Sequence, residues 1–120
     1  MSDPHLDATV MAALQDVMED EFPVLLDTFL TDSEERLRLL NAALQVSDAY
    51  AVRQAAHSFQ GSCSNMGAPL LAQLCRLLED AVQREQLDEA ATLLEQLERE
   101  FAIVRIRIKT ERQRHALPRR

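Results

Sequence analysis

His57 stands in the stretch "AAHSFQGSCSNMGA", residues 55–68, among small and polar neighbours. At about 100° per residue, Val52, Ala55, Ala56, Phe59, Cys63 and Met66 share one helical stripe, and His57 falls about 140° from its axis, facing solvent. Arg53 lies four residues before it, and Gln60, Gly61 and Ser64 three, four and seven after, so these residues surround the ring on that face. Near neutral pH an exposed imidazole is largely unprotonated, and its free lone pair is a nucleophile toward phosphorus that needs no activating base. Glycine inside a helix costs roughly 1 kcal/mol relative to alanine. Gly61 sits one turn beyond His57 where no core packing demands a small residue, so its bare backbone would let a bulky group carried by another protein approach the ring. Spacing alone leaves two other readings open. Gly61 can be a packing contact with a neighbouring helix, and His57 a solvated surface residue, the commoner fate of an exposed histidine.

To display that ring, residue 57 must sit on a rigid rod, and the chain carries five helical patterns. Val10, Met11, Leu14 and Met18 recur at helical intervals from about Asp7 to Met18, a short segment expected to lie as a lid on a larger bundle. Pro23 is placed where a helix start tolerates it, and Leu26, Phe29, Leu30, Ser33, Leu37, Leu40 and Leu44 follow at steps of three and four. Ser47 or Asp48 can cap the His57 helix, which should end near Gly67, whose missing Cβ suits a helix C-terminus. A fourth helix, about Ala68 to Arg84, turns Leu71, Leu74, Cys75, Leu78 and Ala81 inward. The last is the most regular, with Leu87, Ala90, Leu94, Leu97, Phe101, Val104 and Ile108 on a seven-residue repeat.

Four long amphipathic helices joined by loops of a few residues must run antiparallel to their neighbours, because short loops cannot return a chain to the same end. The expectation is an all-α, antiparallel up-down-up-down four-helix bundle with a short extra N-terminal helix. It forms one domain over residues 1–120, with the bundle at about 20–113 and a frayed basic tail at 112–120. Four such faces can bury one another within one chain, which favours a monomer over a coiled-coil dimer.

Composition points the same way, since 47% hydrophobic residues in a chain of 120 suit a single core, while 2 Gly and 4 Pro leave few turn-formers for a sheet. Residues 1–35 contain ten Asp or Glu and no Lys or Arg, and seven basic residues face the single acid Glu111 from Val104 onward. The formal net charge of −7 argues against nucleic acid as a partner. No apolar run approaches the roughly 20 residues of a membrane span, and "MSDPHLDATV" lacks the basic start and apolar core of a signal peptide, so a cytoplasmic location is expected. Cys63 and Cys75 fall on apolar helix positions, where reduced core thiols are expected rather than a disulfide or a metal pair.

The stretch around His57 resembles the signature of histidine-containing phosphotransfer (HPt) domains, AHxLKGSSxxxGA, found on the second long helix of an up-and-down four-helix bundle. Ala56, His57, Gly61, Ser62, Gly67 and Ala68 match it, Phe59 replaces its leucine and Cys63 its second serine. The segment "LAQLCRLLED" is similar to the family's next helix, and "EDEFPVLLDTFLTDSEERL" to stand-alone HPt proteins of pseudomonad-type bacteria, so the resemblance spans roughly residues 20–110. In that family the histidine takes a phosphoryl group from an aspartate of one receiver domain and hands it to an aspartate of another. The resemblance therefore implies that His57 is phosphorylated, through Nε2. It also implies as partners the receiver domains of hybrid sensor histidine kinases and of a response regulator. The receivers would supply Mg²⁺, the chain itself needing no cofactor, and the protein would be a phosphocarrier rather than a stand-alone enzyme.

One position departs from the family, for Gln60 stands where its lysine helps neutralise the phosphate. An amide donates a hydrogen bond but brings no charge. Arg53, on the other side of His57, could supply part of the missing positive field, and transfer is expected to survive with a less stabilised phosphohistidine. The position at which related domains place Gln or Glu beside the imidazole falls at Glu79. A carboxylate near Nδ1–H would fix the tautomer that leaves Nε2 free, although an acid in "LLED" can equally face solvent. Ser62, Ser64 and Asn65 would line the docking face. The Gln60 departure also keeps a rival in view, a degenerate HPt bundle that binds and sequesters a receiver without transfer. A metal-carboxylate bundle has little support, because none of His5, His57 or His115 has a glutamate three positions before it.

Overall fold

Asp7, Asp48 and Gly67 set the helix ends that matter for position 57. The Asp48 carboxylate accepts from the Ala51 amide at 3.1 Å, fixing the start of the His57 helix, and Asp7 caps the first helix by accepting from Thr9 at 2.9 Å. Gly67 closes the His57 helix with φ +75°, and the amide that follows, Ala68 N–H, donates to the Cys63 carbonyl at 2.9 Å. Pro23 and Pro69 occupy first-turn positions, where the missing amide hydrogen costs nothing.

The protein is described by a computed structural model over residues 3–116. Its elements are α1 (Ala8–Met18), a 3₁₀ turn (Glu19–Glu21), α2 (Phe22–Gln45), α3 (Ala49–Met66), α4 (Pro69–Gln83) and α5 (Leu87–Ala116), with no strand among the described residues. Helix α3 packs on α2 and α4, α4 on α5, and α5 back on α2, closing a four-helix ring around one core. Leu26, Leu40, Phe59, Leu71, Leu78, Leu97, Val104 and Ile108 are fully buried there, and the rings of Phe59 and Phe101 meet edge to face with centroids 6.4 Å apart. The apolar stripe of α3 is buried at Val52, Ala56, Phe59, Cys63 and Met66, with Ala55 half-buried. Leu87, expected on the α5 seam, is exposed because it is the first residue of its helix.

A ladder of polar pairs sets the register of α2 on α5. Asn41 donates to Glu98 at 3.0 Å, Arg105 pairs with Glu34 at 3.5 Å, and Arg112 with Asp27 at 3.2 Å. The steps of seven descend on α2 as they ascend on α5, so the same helix faces stay together along the contact.

The basic segment from Arg112 corrects an expectation. Instead of fraying, residues 112–116 continue α5, because partners distant in sequence hold them. Besides Arg112 on Asp27, His115 sets its ring against Phe22 at 5.4 Å between centroids and meets the Gln15 amide at 3.2 Å. The rest of the expected tail, residues 117–120, lies outside the described residues.

A strap ahead of α1 ties three helices together. Asp7 N–H donates to the Gly67 carbonyl at 2.7 Å, Leu70 N–H to the Pro4 carbonyl at 3.1 Å, and His5 Nδ1 meets the buried Glu100 carboxylate at 2.7 Å. Asp3 adds an ion pair to Arg107, and Leu6 is buried between these anchors. Cys63 and Cys75 are free, buried thiols; burial foremost, with the neighbouring Cys75, pushes the Cys63 thiol far up, so it stays protonated. No helix among the described residues is long and apolar enough to cross a membrane.

Candidate functional site

His57 projects from α3 on the side opposite the buried stripe, with 70% of its side chain exposed. The α3–α4 packing brings Glu79 to it, the carboxylate oxygens lying 3.3 and 3.4 Å from Nδ1. Glu79 is itself only a quarter exposed, so of the two alternatives left by the sequence the structure takes the one beside the ring. A carboxylate at that edge favours the Nδ1–H tautomer, whose lone pair is on Nε2 at the ring's other edge.

Gly61 lies one turn further along α3. A Cβ built there meets no atom of the described residues within 4 Å, so nothing among them requires a glycine, and the packing reading of that residue falls. The space over the backbone beside His57 is open. Gln60 is half-buried and turns its amide along the helix to donate to the Ser64 hydroxyl at 3.0 Å, rather than to the imidazole. Ser64, Asn65 and Arg53 are exposed and Ser62 half-buried, and none of these four has a hydrogen bond or ion pair with His57 among the described residues. Thus Glu79 and Gly61 adjoin the ring, whereas Gln60 and Ser64 form a pair of their own beside it.

A residue that spacing did not reveal enters from α2. Arg36 Nε donates to the Ser58 hydroxyl at 3.1 Å, one residue from His57, and its buried Nη1 has no hydrogen-bond partner. In "SEERLRLL" one arginine looks like the other, and only the packing of α2 against α3 separates Arg36 from Arg38, which pairs with Glu35 on its own helix. Among the described residues no group of three or more His, Cys, Asp or Glu is arranged to hold a metal ion.

Comparison with known proteins joins this geometry to a family. The family model for the Hpt domain matches residues 24–107. The crystal structure of histidine-containing phosphotransfer protein B (HptB) from Pseudomonas aeruginosa PAO1 is similar to the chain, with a TM-score of 0.91 and 65% sequence identity. The match covers 94% of this chain and 98% of that one. No curated protein sequence matches. With an exposed histidine on the second long helix and more than half of its length within the family's pattern, the chain belongs to the Hpt domain family, whose members carry phosphoryl groups on histidine in phosphorelays.

Proposed function

We propose that the chain is the intermediate of a two-component phosphorelay, accepting a phosphoryl group on His57 from the receiver of a hybrid sensor kinase and passing it to a response-regulator aspartate. The observation that carries this reading is the single exposed imidazole with Nδ1 against Glu79 and unfilled space over Gly61. In the loading step the Nε2 lone pair attacks the phosphorus of the receiver's aspartyl phosphate. A P–N bond forms, the P–O bond to the aspartate breaks, and the carboxylate leaves with the electron pair. The ring retains its Nδ1 proton and becomes cationic, and the Glu79 carboxylate balances that charge. Unloading is the reverse with a second aspartate. Mg²⁺ belongs to the receiver's acidic pocket, and this chain contributes position and access.

Docking would use the α2–α3 face around the histidine. Tyr50, two turns before His57 on the same side of α3, is 68% exposed, and Leu39 on α2 is 46% exposed, so the ring is approached across apolar ground without a deep pocket. The register of the α2–α5 pairs supports an antiparallel up-down-up-down bundle with α1 as the extra helix. The protein is read as a cytoplasmic monomer. Mixing it with a phosphorylated receiver should put acid-labile phosphate on His57 and none on His57→Ala. Failure to label wild type with any receiver of the source organism overturns the reading. The rival, a receiver-sequestering bundle, rests on Gln60 in the lysine's place, and it would give stable binding without label.

A further inference from the structure

We propose that Arg36 of α2 is the fixed cation that offsets the phosphoryl charge at His57, taking over from the lysine that α3 lacks at position 60. The inference rests on the reading of His57 as the phosphorylated residue. Three observations lead to it. The hydrogen bond from Arg36 Nε to Ser58 holds the guanidinium against α3 next to His57 in sequence, so its place does not depend on a long side chain waving in solvent. No carboxylate among the described residues lies within ion-pair distance of Arg36, and Nη1 is buried without a partner, so its charge is not cancelled locally. On α3 its charge also works, against the larger effect of burial, to lower the Cys63 thiol.

The orientation of the ring gives the cation its use. Glu79 meets Nδ1 from α4 and Arg36 reaches Ser58 from α2, so His57 stands on α3 between the two helices on which α3 packs. A dianionic phosphoryl group on Nε2 would thus have an acid from α4 at the ring's Nδ1 edge and a base from α2 anchored one residue along α3. A half-buried, fixed guanidinium acts through a lower effective dielectric than a solvated lysine, which lets it act without touching the group. Arg36 is therefore a positioning residue for charge, not a nucleophile or acid.

The test is the equilibrium partition of phosphate between a receiver aspartate and His57, with the phosphohistidine half-life measured alongside. Arg36→Met should shift the partition toward the receiver by about fivefold, as expected for loss of one nearby charge, and shorten the half-life. Arg36→Lys should keep most of the wild-type partition, and Gln60→Lys added to Arg36→Met should restore it. Arg99→Met, on the exposed face of α5, removes an equal charge and should change neither readout. Arg36→Gln carries the same expectation as Arg36→Met should the latter lose helicity. An unchanged partition in folded Arg36→Met or Arg36→Gln, or no restoration by Gln60→Lys, overturns the role of Arg36. Absence of label on wild-type His57 would instead overturn the phosphotransfer reading beneath it.

Discussion

A methyl group added at Gly61 meets no atom of the described residues within 4 Å, and alanine is the better helix former. Gly61→Ala should therefore raise stability by about 0.5–1 kcal/mol. If the open backbone serves an incoming receiver, the same change should slow phosphoryl transfer by about tenfold, an activation cost of about 1.4 kcal/mol. Denaturant titration and rapid-quench transfer assays read the two effects separately. A variant that is more stable and equally fast would deny Gly61 any part in access. The histidine and this glycine stood out in the sequence as a polar ring opposite an apolar stripe followed by a helix-weakening residue, but spacing left a solvated side chain and a packing contact open, and it was the resemblance to the HPt signature that pointed to phosphotransfer. The side-chain partners were harder to see. Glu79 was proposed from the family's pattern and reached His57 only through α3–α4 packing, while Arg36 was invisible because its role depends on a bond to Ser58 across 22 residues.

Six residues later the same substitution should do the reverse, for reasons that belong to helices rather than to a side chain. Gly67 has φ +75°, and a Cβ there would stand 2.6 Å from Val10 Cβ on α1. Gly67→Ala has to pay the left-handed backbone cost and push α1 away, so a loss of about 2 kcal/mol or more is expected. Hydrogen exchange should quicken at the Asp7 amide, whose acceptor is the Gly67 carbonyl. A variant as stable as wild type, with Asp7 still protected, would show that α1 is not seated on this turn. Periodicity located the helices well, since α3 and α4 bury the expected stripes with only Ala55 left half-buried. It misjudged the end of α5 because charge without apolar spacing looked solvated, whereas Asp27, Phe22 and Gln15 wait for Arg112 and His115 on other elements. Glu100 escaped for a related reason, an acid on a buried seam whose partner, His5, lies 95 residues away.

At the scale of the whole molecule, the N-terminal strap closes the bundle at the end where α3 stops, and its charges make that closure sensitive to acid. The Arg107 guanidinium, and after it the His5 amide, hold the Asp3 carboxyl below its ordinary value of 3.8. A carboxyl whose folded value is depressed adds stability that is fully present above its unfolded value and is lost as pH falls through the lower folded one. The strap should therefore tighten the fold at neutral pH and release it below about pH 4. His5 and Glu100 meet on the same strap, and the chain carries many other acids, so the test needs a difference in which their contributions cancel. Asp3→Asn supplies it, because the amide cannot titrate and cannot attract Arg107 as a charge. The melting temperature of wild type should exceed that of Asp3→Asn at pH 6, and the gap should close as pH is lowered through the window beneath 3.8. High salt should narrow the gap at pH 6, since the pair is open to solvent. A gap that holds constant down to pH 2.5 would mean that Asp3 contributes through shape or hydrogen bonding alone, and that the strap is fastened by Leu6, Asp7 and His5 without help from its outermost charge.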